Sequence, residues 1–402
     1  MRILHTSDWH LGRSFGPVSL AAEQQAFIDW LVAQTIEQRI DLVVVAGDVF
    51  DRSVAPIDAV VMFREALMRL LETGAKVAVI TGNHDSPDRV AAYDDLLDLS
   101  GVYVRGGYSR FGEVLRLPFV DGPLDLVLLP FLDPQAAPDE LDEGGIEPEP
   151  DDLFDTTADD SVTEAFARRV RRTHRSVLAA AIAAAVPRLS APRSLAVAHA
   201  FVTGCITSES ERQLTVGGTG AVEAALFKRF SYSALGHLHR PQEVSARRTV
   251  RYAGTPLAYS FSETHVKSIV VIDMAADGTC VVHTLPIPVG RAVRIVTGTI
   301  DQLLRAEPDA ALAASFVRAV VTDPGVVLDA KQRLAVVYPH VVEIVLDPPK
   351  VQGATRTTID QRTMSATDAA DAFWLASVGT PPTPDEEAVL HEAIFAADSR
   401  VA

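Results

Sequence analysis

The sequence predicts an α/β fold of stacked layers, continued by a smaller α+β unit. Three observations carry that expectation. Strand and helix signals alternate through the N-terminal region as βαβαβ. The run Asp41-Leu-Val-Val-Val-Ala46 is apolar without alternation, the pattern of a parallel strand covered on both faces. Each early strand also ends in a polar cluster: Asp8 and His10, then Asp48 and Asp51, then Asn83, His84 and Asp85. Ligands in such sheets bind beyond the carboxyl ends of the strands, so these clusters fall where a site is expected.

Taken in order, Ile3 to Ser7 reads as the first strand, and Ala21 to Gln38 as a helix with Phe27, Leu31 and Ile36 among its apolar positions. A second helix is expected over Pro56 to Glu72, with proline near its start and Gly74 just past its end. It carries two apolar stripes, Ile57/Val61/Met68/Leu71 and Val60/Phe63/Leu67/Leu70, although one suffices to dock on a sheet. Strands are expected at Lys76 to Thr81, Glu113 to Leu117 and Asp125 to Phe131. Asp133 to Asp160 is rich in Asp, Glu and Pro and contains no Lys or Arg, so it reads as a flexible surface insertion near 133–160. An Ala-rich helix follows over Ser161 to Ala185, then strands at Leu195 to His199, Phe230 to Leu235, Val250 to Ala253, Val266 to Met274 and Thr279 to Leu285. Beyond Pro288 the character changes. Arg294 to Thr299, a helix near Ile300 to Glu307, Ser315 to Thr322 and Val341 to Leu346 suggest the α+β unit, and two short helices flank Thr380-Pro-Pro-Thr-Pro384. The expected organisation is a catalytic domain over 1–285, an α+β cap over 286–350 and a helical tail over 351–402.

The chain has 402 residues, 48 % of them hydrophobic, enough for a sizeable core and more than one domain. Two cysteines, Cys205 and Cys280, make no disulfide framework, which suits a reducing cytoplasm. The N-terminus enters a strand directly, with no signal-peptide pattern, and no apolar run nears the roughly 20 residues that span a bilayer. The expected location is cytoplasmic. A formal charge of −17 argues against strong unaided binding to nucleic acid, whose phosphates are gripped by Lys and Arg.

The chemistry lies in the spacing of hard and imidazole donors. Asp8-x-His10 offers a carboxylate and a ring nitrogen from one loop. Gly47-Asp48-x-x-Asp51 adds a carboxylate at a tight turn, where glycine permits close backbone approach. Gly82-Asn83-His84-Asp85 adds an amide oxygen and another histidine. His199 and Gly236-His237-Leu238-His239 complete the set. Any one of these is commonplace at a strand end, but all of them in this order point to a dinuclear metal site.

The same stretches resemble the calcineurin-like metallophosphoesterase superfamily, and within it the SbcD-type nuclease subunits. The narrower resemblance rests on His5-Thr-Ser-Asp-Trp-His-Leu-Gly12, Glu211-Arg-Gln-Leu-Thr-Val-Gly-Gly218, Tyr232-Ser-Ala-Leu-Gly-His-Leu-His-Arg-Pro-Gln242, Arg251-Tyr-Ala-Gly-Thr-Pro256 and Tyr259-Ser-Phe-Ser-Glu263. Ser231 departs from the family, which often has Asp there, and the acidic insertion is unusually long. The resemblance implies two packed mixed sheets flanked by helices. It further implies that Asp8, His10, Asp48 and His239 hold one divalent ion, and Asp48, Asn83, His199 and His237 a second. The ions would be manganese, with magnesium also suited to such donors. His84 would be the catalytic proton donor, with Asp85 fixing its orientation. Asp51 is expected to orient a ligand, with a turn cap as the other reading. Arg13, Arg52, Arg89 and Arg240 adjoin the ligand stretches and are candidates for phosphate contacts, beside ordinary surface salt bridges.

For function the resemblance implies a DNA nuclease, a 3′-to-5′ exonuclease on duplex ends and an endonuclease on single strands and hairpins, acting in DNA repair, recombination and replication. Its partners would be DNA and an SbcC-type coiled-coil ATPase, in a heterotetramer built on a homodimer, with no membrane. No Gly-rich phosphate loop of the Walker type occurs, so any ATP dependence comes from outside the chain. Two other readings stand beside it: a phosphodiesterase for small molecules, which the acidic balance slightly favours and the region after Gly290 and the 211–263 motifs disfavour, and a non-catalytic scaffold, which the complete donor set disfavours.

Overall fold

The computed structural model describes residues 1–138, 172–211, 220–244, 249–349 and 365–398. Most of the acidic insertion, the first part of the helix expected from Ser161, and the stretch 212–218 lie outside them. The chain divides into two compact units, Met1–Val293 and Arg294–Ala402.

The first unit contains two six-stranded mixed sheets. In one the order is Cys280–Pro286, Ser268–Met274, Arg2–Thr6, Leu42–Ala46, Lys76–Ile80 and Val102–Arg105. The last four are parallel, and Ser268–Met274 runs antiparallel to both its neighbours. The other has the order Gln242–Glu243, Val250–Tyr252, Tyr232–Gly236, Ser194–His199, Gly122–Leu129 and Leu115–Phe119. Its four inner strands are parallel and its two edges antiparallel.

Alternation along each strand explains why the sheets stack. Leu42, Val44 and Ala46 join Leu126, Leu195, Val197 and Ala234 in a core between the sheets. Val43 and Val45 point the other way, onto Phe27 and Leu31 of helix Ala21–Glu37 and Phe63 and Leu70 of helix Ile57–Glu72. On the far side, Val127, Ala196 and Ala198 pack on Val177, Leu178 and Ala181 of helix His174–Ala185. A strand with two buried faces reads as an unbroken apolar run, which is why Leu42–Ala46 is so plain in the sequence. The edge strand Val102–Arg105 is absent from the sequence reading, being four residues long and ending in arginine.

The sheets approach closely at Gly236. A Cβ on Gly236 would run into the carbonyl oxygen of Ala46, so glycine alone lets these two strand ends cross. His5 is a second tie. Fully buried, it lies 3.1 Å from the Leu235 carbonyl through Nε2 and 3.3 Å from the Tyr232 hydroxyl through Nδ1. Burial lowers its pKa to about 3, so it spans the sheets as a neutral ring.

Strands Val293–Gly298, Phe316–Val321 and Val341–Leu346, in the second unit apart from Val293, form a three-stranded sheet covered by Ile300, Leu303 and Leu334 from short helices. Helices Ala366–Val378 and Pro384–Asp398 pack on each other, tied by His391 Nε2 at 3.0 Å from the Asp371 carboxylate. Among the described residues no helix is long and apolar enough to cross a membrane.

Candidate dinuclear metal centre

The loops after strands Arg2–Thr6 and Leu42–Ala46 keep pairing after the strands themselves have ended. Asp8 N–H donates to Gly47 O, His10 N–H to Asp48 O and Leu11 N–H to Val49 O, each at 2.9 Å. Holding this course puts Asp8, His10 and Asp48 at φ of 54°, 45° and 46°, and His237 stands at 107°. Four of the six non-glycine residues with positive φ among the described residues therefore belong to one site. Side chains resist that conformation, and it persists only where the surroundings hold it. Gln24 supplies some of that hold, donating to His10 O at 2.7 Å and accepting from Gly12 N–H at 3.1 Å. Trp9 lies buried beneath the loop, its Nε1–H on the Thr6 hydroxyl.

The stretches named from sequence do come together. His10 Nε2 lies 3.3 Å from His239 Nε2 and 3.7 Å from Asp48 Oδ2. His199 Nε2 lies 3.6 Å from Asp48 Oδ2 and 2.9 Å from Asn83 Oδ1, which is 3.1 Å from His237 Nδ1. Asp8 accepts from His237 N–H and comes within 4.0 Å of His199 Nδ1. Two donor clusters result, Asp8/His10/His239 and Asp8/Asp48/His199, and a third joins His10, Asp48 and His84.

The residues fit a pair of divalent cations on physical grounds. Asp8 and Asp48 are both essentially inaccessible, and among the described residues no Lys or Arg pairs with either. Buried carboxylates so placed need positive charge. Burial and the Asp48 charge together push the Asp8 carboxyl well above its ordinary range. The rings also meet as acceptors. His199 donates from Nδ1 to Ala46 O at 3.0 Å, so Nε2 presents a lone pair to the Asn83 carbonyl oxygen. Burial lowers His10, His199 and His237, keeping the rings neutral, which is the form that ligates. His10 Nδ1 and Asn83 Nδ2 are buried without a hydrogen-bond partner.

His84 stands at the margin, half-buried, its ring 4.8 Å from that of His10. Its orientation corrects the expectation for Asp85. The group that takes the His84 Nδ1 proton is the Asp51 backbone carbonyl, at 2.8 Å. The Asp85 carboxylate turns away and accepts from Val49, Phe50 and Gly82 N–H at 2.9–3.0 Å, stitching the second and third loops together. Burial and the Asp48 charge raise the Asp85 carboxyl while those three donors pull it back. Replacing Asp85 by alanine would strand three buried N–H groups, each costing about 1–3 kcal/mol. Urea unfolding of Asp85→Ala should show a loss of at least about 3 kcal/mol; a loss below about 1 kcal/mol would contradict the stitching role.

The Asp51 carboxylate accepts from Arg13 at 3.0 Å and lies 3.8 Å from His10 Nδ1. Arg13 is thereby held over the Tyr259 ring, 4.9 Å from its centroid. Arg52 is exposed, 3.9 Å from Asp51, and Arg89 and Arg240 are exposed as well. Sequence reasoning misses Gln24, Ser210, Glu211 and Glu263. Ser210 and Glu263 lie against His239 Nδ1, and Glu211 takes the His239 N–H at 2.7 Å. Only the acidic and hydroxyl residues of the quoted stretches could have hinted at them.

Residues 1–241 match the calcineurin-like phosphoesterase family. The chain is 34 % identical over 277 residues to the SbcD component of the SbcCD nuclease of Bacillus subtilis (strain 168), across 68 % of this chain and 66 % of that protein, just under two thirds of its length. It is 31 % identical over 307 residues to the protein of that name from Escherichia coli (strain K12), across 75 % of this chain and 72 % of the relative. The protein of that name from Staphylococcus saprophyticus is 27 % identical over 346 residues, 86 % of this chain and 84 % of its own. The family match spans every residue of the cage, from Asp8 to His239, and the chain belongs to the calcineurin-like phosphoesterase family, on its SbcD branch.

Proposed function

We propose that the chain is a manganese-dependent DNA nuclease subunit. Its reactions would be 3′-to-5′ exonuclease on duplex ends and endonuclease on single strands and hairpins, carried out in the cytoplasm with an SbcC-type coiled-coil ATPase. The single observation that supports this best is the cage itself, where ring nitrogens and carbonyl oxygens face one another as acceptors around two buried carboxylates. Asp8, His10, Asp48 and His239 would hold one ion and Asp48, Asn83, His199 and His237 the other, Asp48 being common to both. Two such ions supply Lewis acidity and positive charge at the phosphate under attack.

The chain's own residues then account for orientation and proton movement. With Nδ1–H on the Asp51 carbonyl, His84 keeps Nε2 for the substrate side. A proton carried there is given to the departing sugar oxygen, which is a poor leaving group without it. Asp51 positions His84 through its carbonyl and Arg13 through its carboxylate, so one residue sets both the proton donor and a cation suited to a phosphate.

The helix Ile57–Glu72 leaves Ile57, Val60, Val61 and Met68 exposed, a face suited to a second copy in a homodimer. Phe373, Leu375 and Val389 are exposed on the terminal helices, where the ATPase partner would dock. A partner that contributes grip would offset the net charge of −17.

One assay tests the reading. The full chain with manganese, with and without its ATPase partner, is offered a labelled hairpin DNA and bis(p-nitrophenyl) phosphate. Hairpin cleavage abolished by chelator is the expected result. Dye release alone would favour the small-molecule phosphodiesterase that the acidic balance suggests, and neither product would leave a scaffold. The chelator should also lower the melting temperature, since each ion at 100-fold its dissociation constant stabilises the folded chain by about 2.7 kcal/mol.

A further inference from the structure

We propose that Ser210 and Glu263 are positioning residues that fix which ring nitrogen of His239 carries the proton. The Ser210 hydroxyl lies 2.6 Å from His239 Nδ1 and 2.5 Å from Glu263 Oε1. A hydroxyl has one proton to give. Glu263 is buried, and its second oxygen accepts from the Lys267 ammonium and from the Thr255 hydroxyl at 3.1 Å. Ion-paired in this way it is an acceptor only, so the Ser210 proton goes to Glu263. Toward His239 the serine oxygen must then accept, and Nδ1 carries the hydrogen. Nε2 is left with its lone pair, and Nε2 is the atom that faces His10 Nε2 at 3.3 Å inside the cage.

The same turn grips the backbone. Glu211 accepts from both His239 N–H, at 2.7 Å, and Ser208 N–H, at 2.6 Å, while Glu209 N–H donates to Ser262. His199 and His84 give their Nδ1 protons to main-chain carbonyls of Ala46 and Asp51, acceptors no substitution removes. His239 instead depends on two side chains from separate segments, and so its tautomer is open to mutation. Lone-pair direction toward a ligated ion is commonly set by such an outer partner, and its loss weakens metal binding about 10–100-fold.

The inference rests on the metal reading above, and its test separates the two. Nitrogen-15 spectra of the imidazoles in the metal-free chain report the tautomer, and calorimetric titration with manganese reports each site. In the wild type His239 should carry its proton on Nδ1. Ser210→Ala should weaken one manganese site about 10–100-fold and spare the other, with Ser210→Thr restoring it. Glu263→Gln should do more harm: its oxygen stays on Lys267, its amide N–H turns to Ser210, and the reversed relay drives the proton onto Nε2. Should that variant fail to fold, the Ser210 pair decides alone. A wild-type proton on Nε2, unchanged affinity in both variants, or equal loss at both sites would overturn the proposal. If the wild type took up no manganese, the metal reading would fall while the spectra still judged the relay.

Discussion

His84→Ala will lose about 10²–10⁴-fold in hairpin cleavage, the usual contribution of a positioned general acid, yet still bind two manganese ions. The geometry separates these outcomes. His84 touches the cage only at its edge, with its Nδ1–H spent on the Asp51 carbonyl, while its backbone N–H, which alanine retains, donates to Asp48 Oδ1 at 2.9 Å. Single-turnover cleavage and metal content after dialysis would check both halves. The deficit should shrink sharply on bis(p-nitrophenyl) phosphate, because nitrophenolate departs without a proton. A variant stripped of both ions, or one equally crippled on both substrates, would mean that His84 serves the cage and not the leaving group.

Asp48→Asn should be more damaging still, taking activity down at least about 10³-fold and abolishing tight binding at both metal sites together. Its Oδ2 lies 3.7 Å from His10 Nε2 and 3.6 Å from His199 Nε2. The amide keeps an acceptor for His84 N–H, so the loop should persist. It also relieves Asp8 of a like charge in a buried setting, one of the causes that push the Asp8 carboxyl upward. Metal-free Asp48→Asn should therefore melt no earlier than metal-free wild type, although it loses the stabilisation that manganese gives the latter. Retention of one tight site would show that Asp48 does not join the two halves.

The parts of this protein that are legible in its sequence share a physical cause. Strands covered on both faces need unbroken apolar runs, and donors for hard cations need Asp, Asn and His; both are written in residue type. Leu42–Ala46 and the seven cage residues are plain for that reason. Functions carried by the backbone leave no such mark. The carbonyl of Asp51 that orients His84 is chemically the carbonyl of any residue, so residue type points to the neighbouring carboxylate of Asp85 instead. Ser210 and Glu263 escape the sequence for a related reason: they meet His239 from segments 29 and 24 positions away, a proximity only the folded sheets create.

The left-handed backbone at Asp8, His10 and Asp48, with the positive φ of His237, also bears on how this chain could change over time. Glycine at any of these positions would relax a conformation costing about 1–2 kcal/mol, but would delete a polar side chain from the cage. Firmness and reactivity thus pull in opposite directions at four places in one cavity. A descendant released from metal chemistry would find its readiest gains in robustness there.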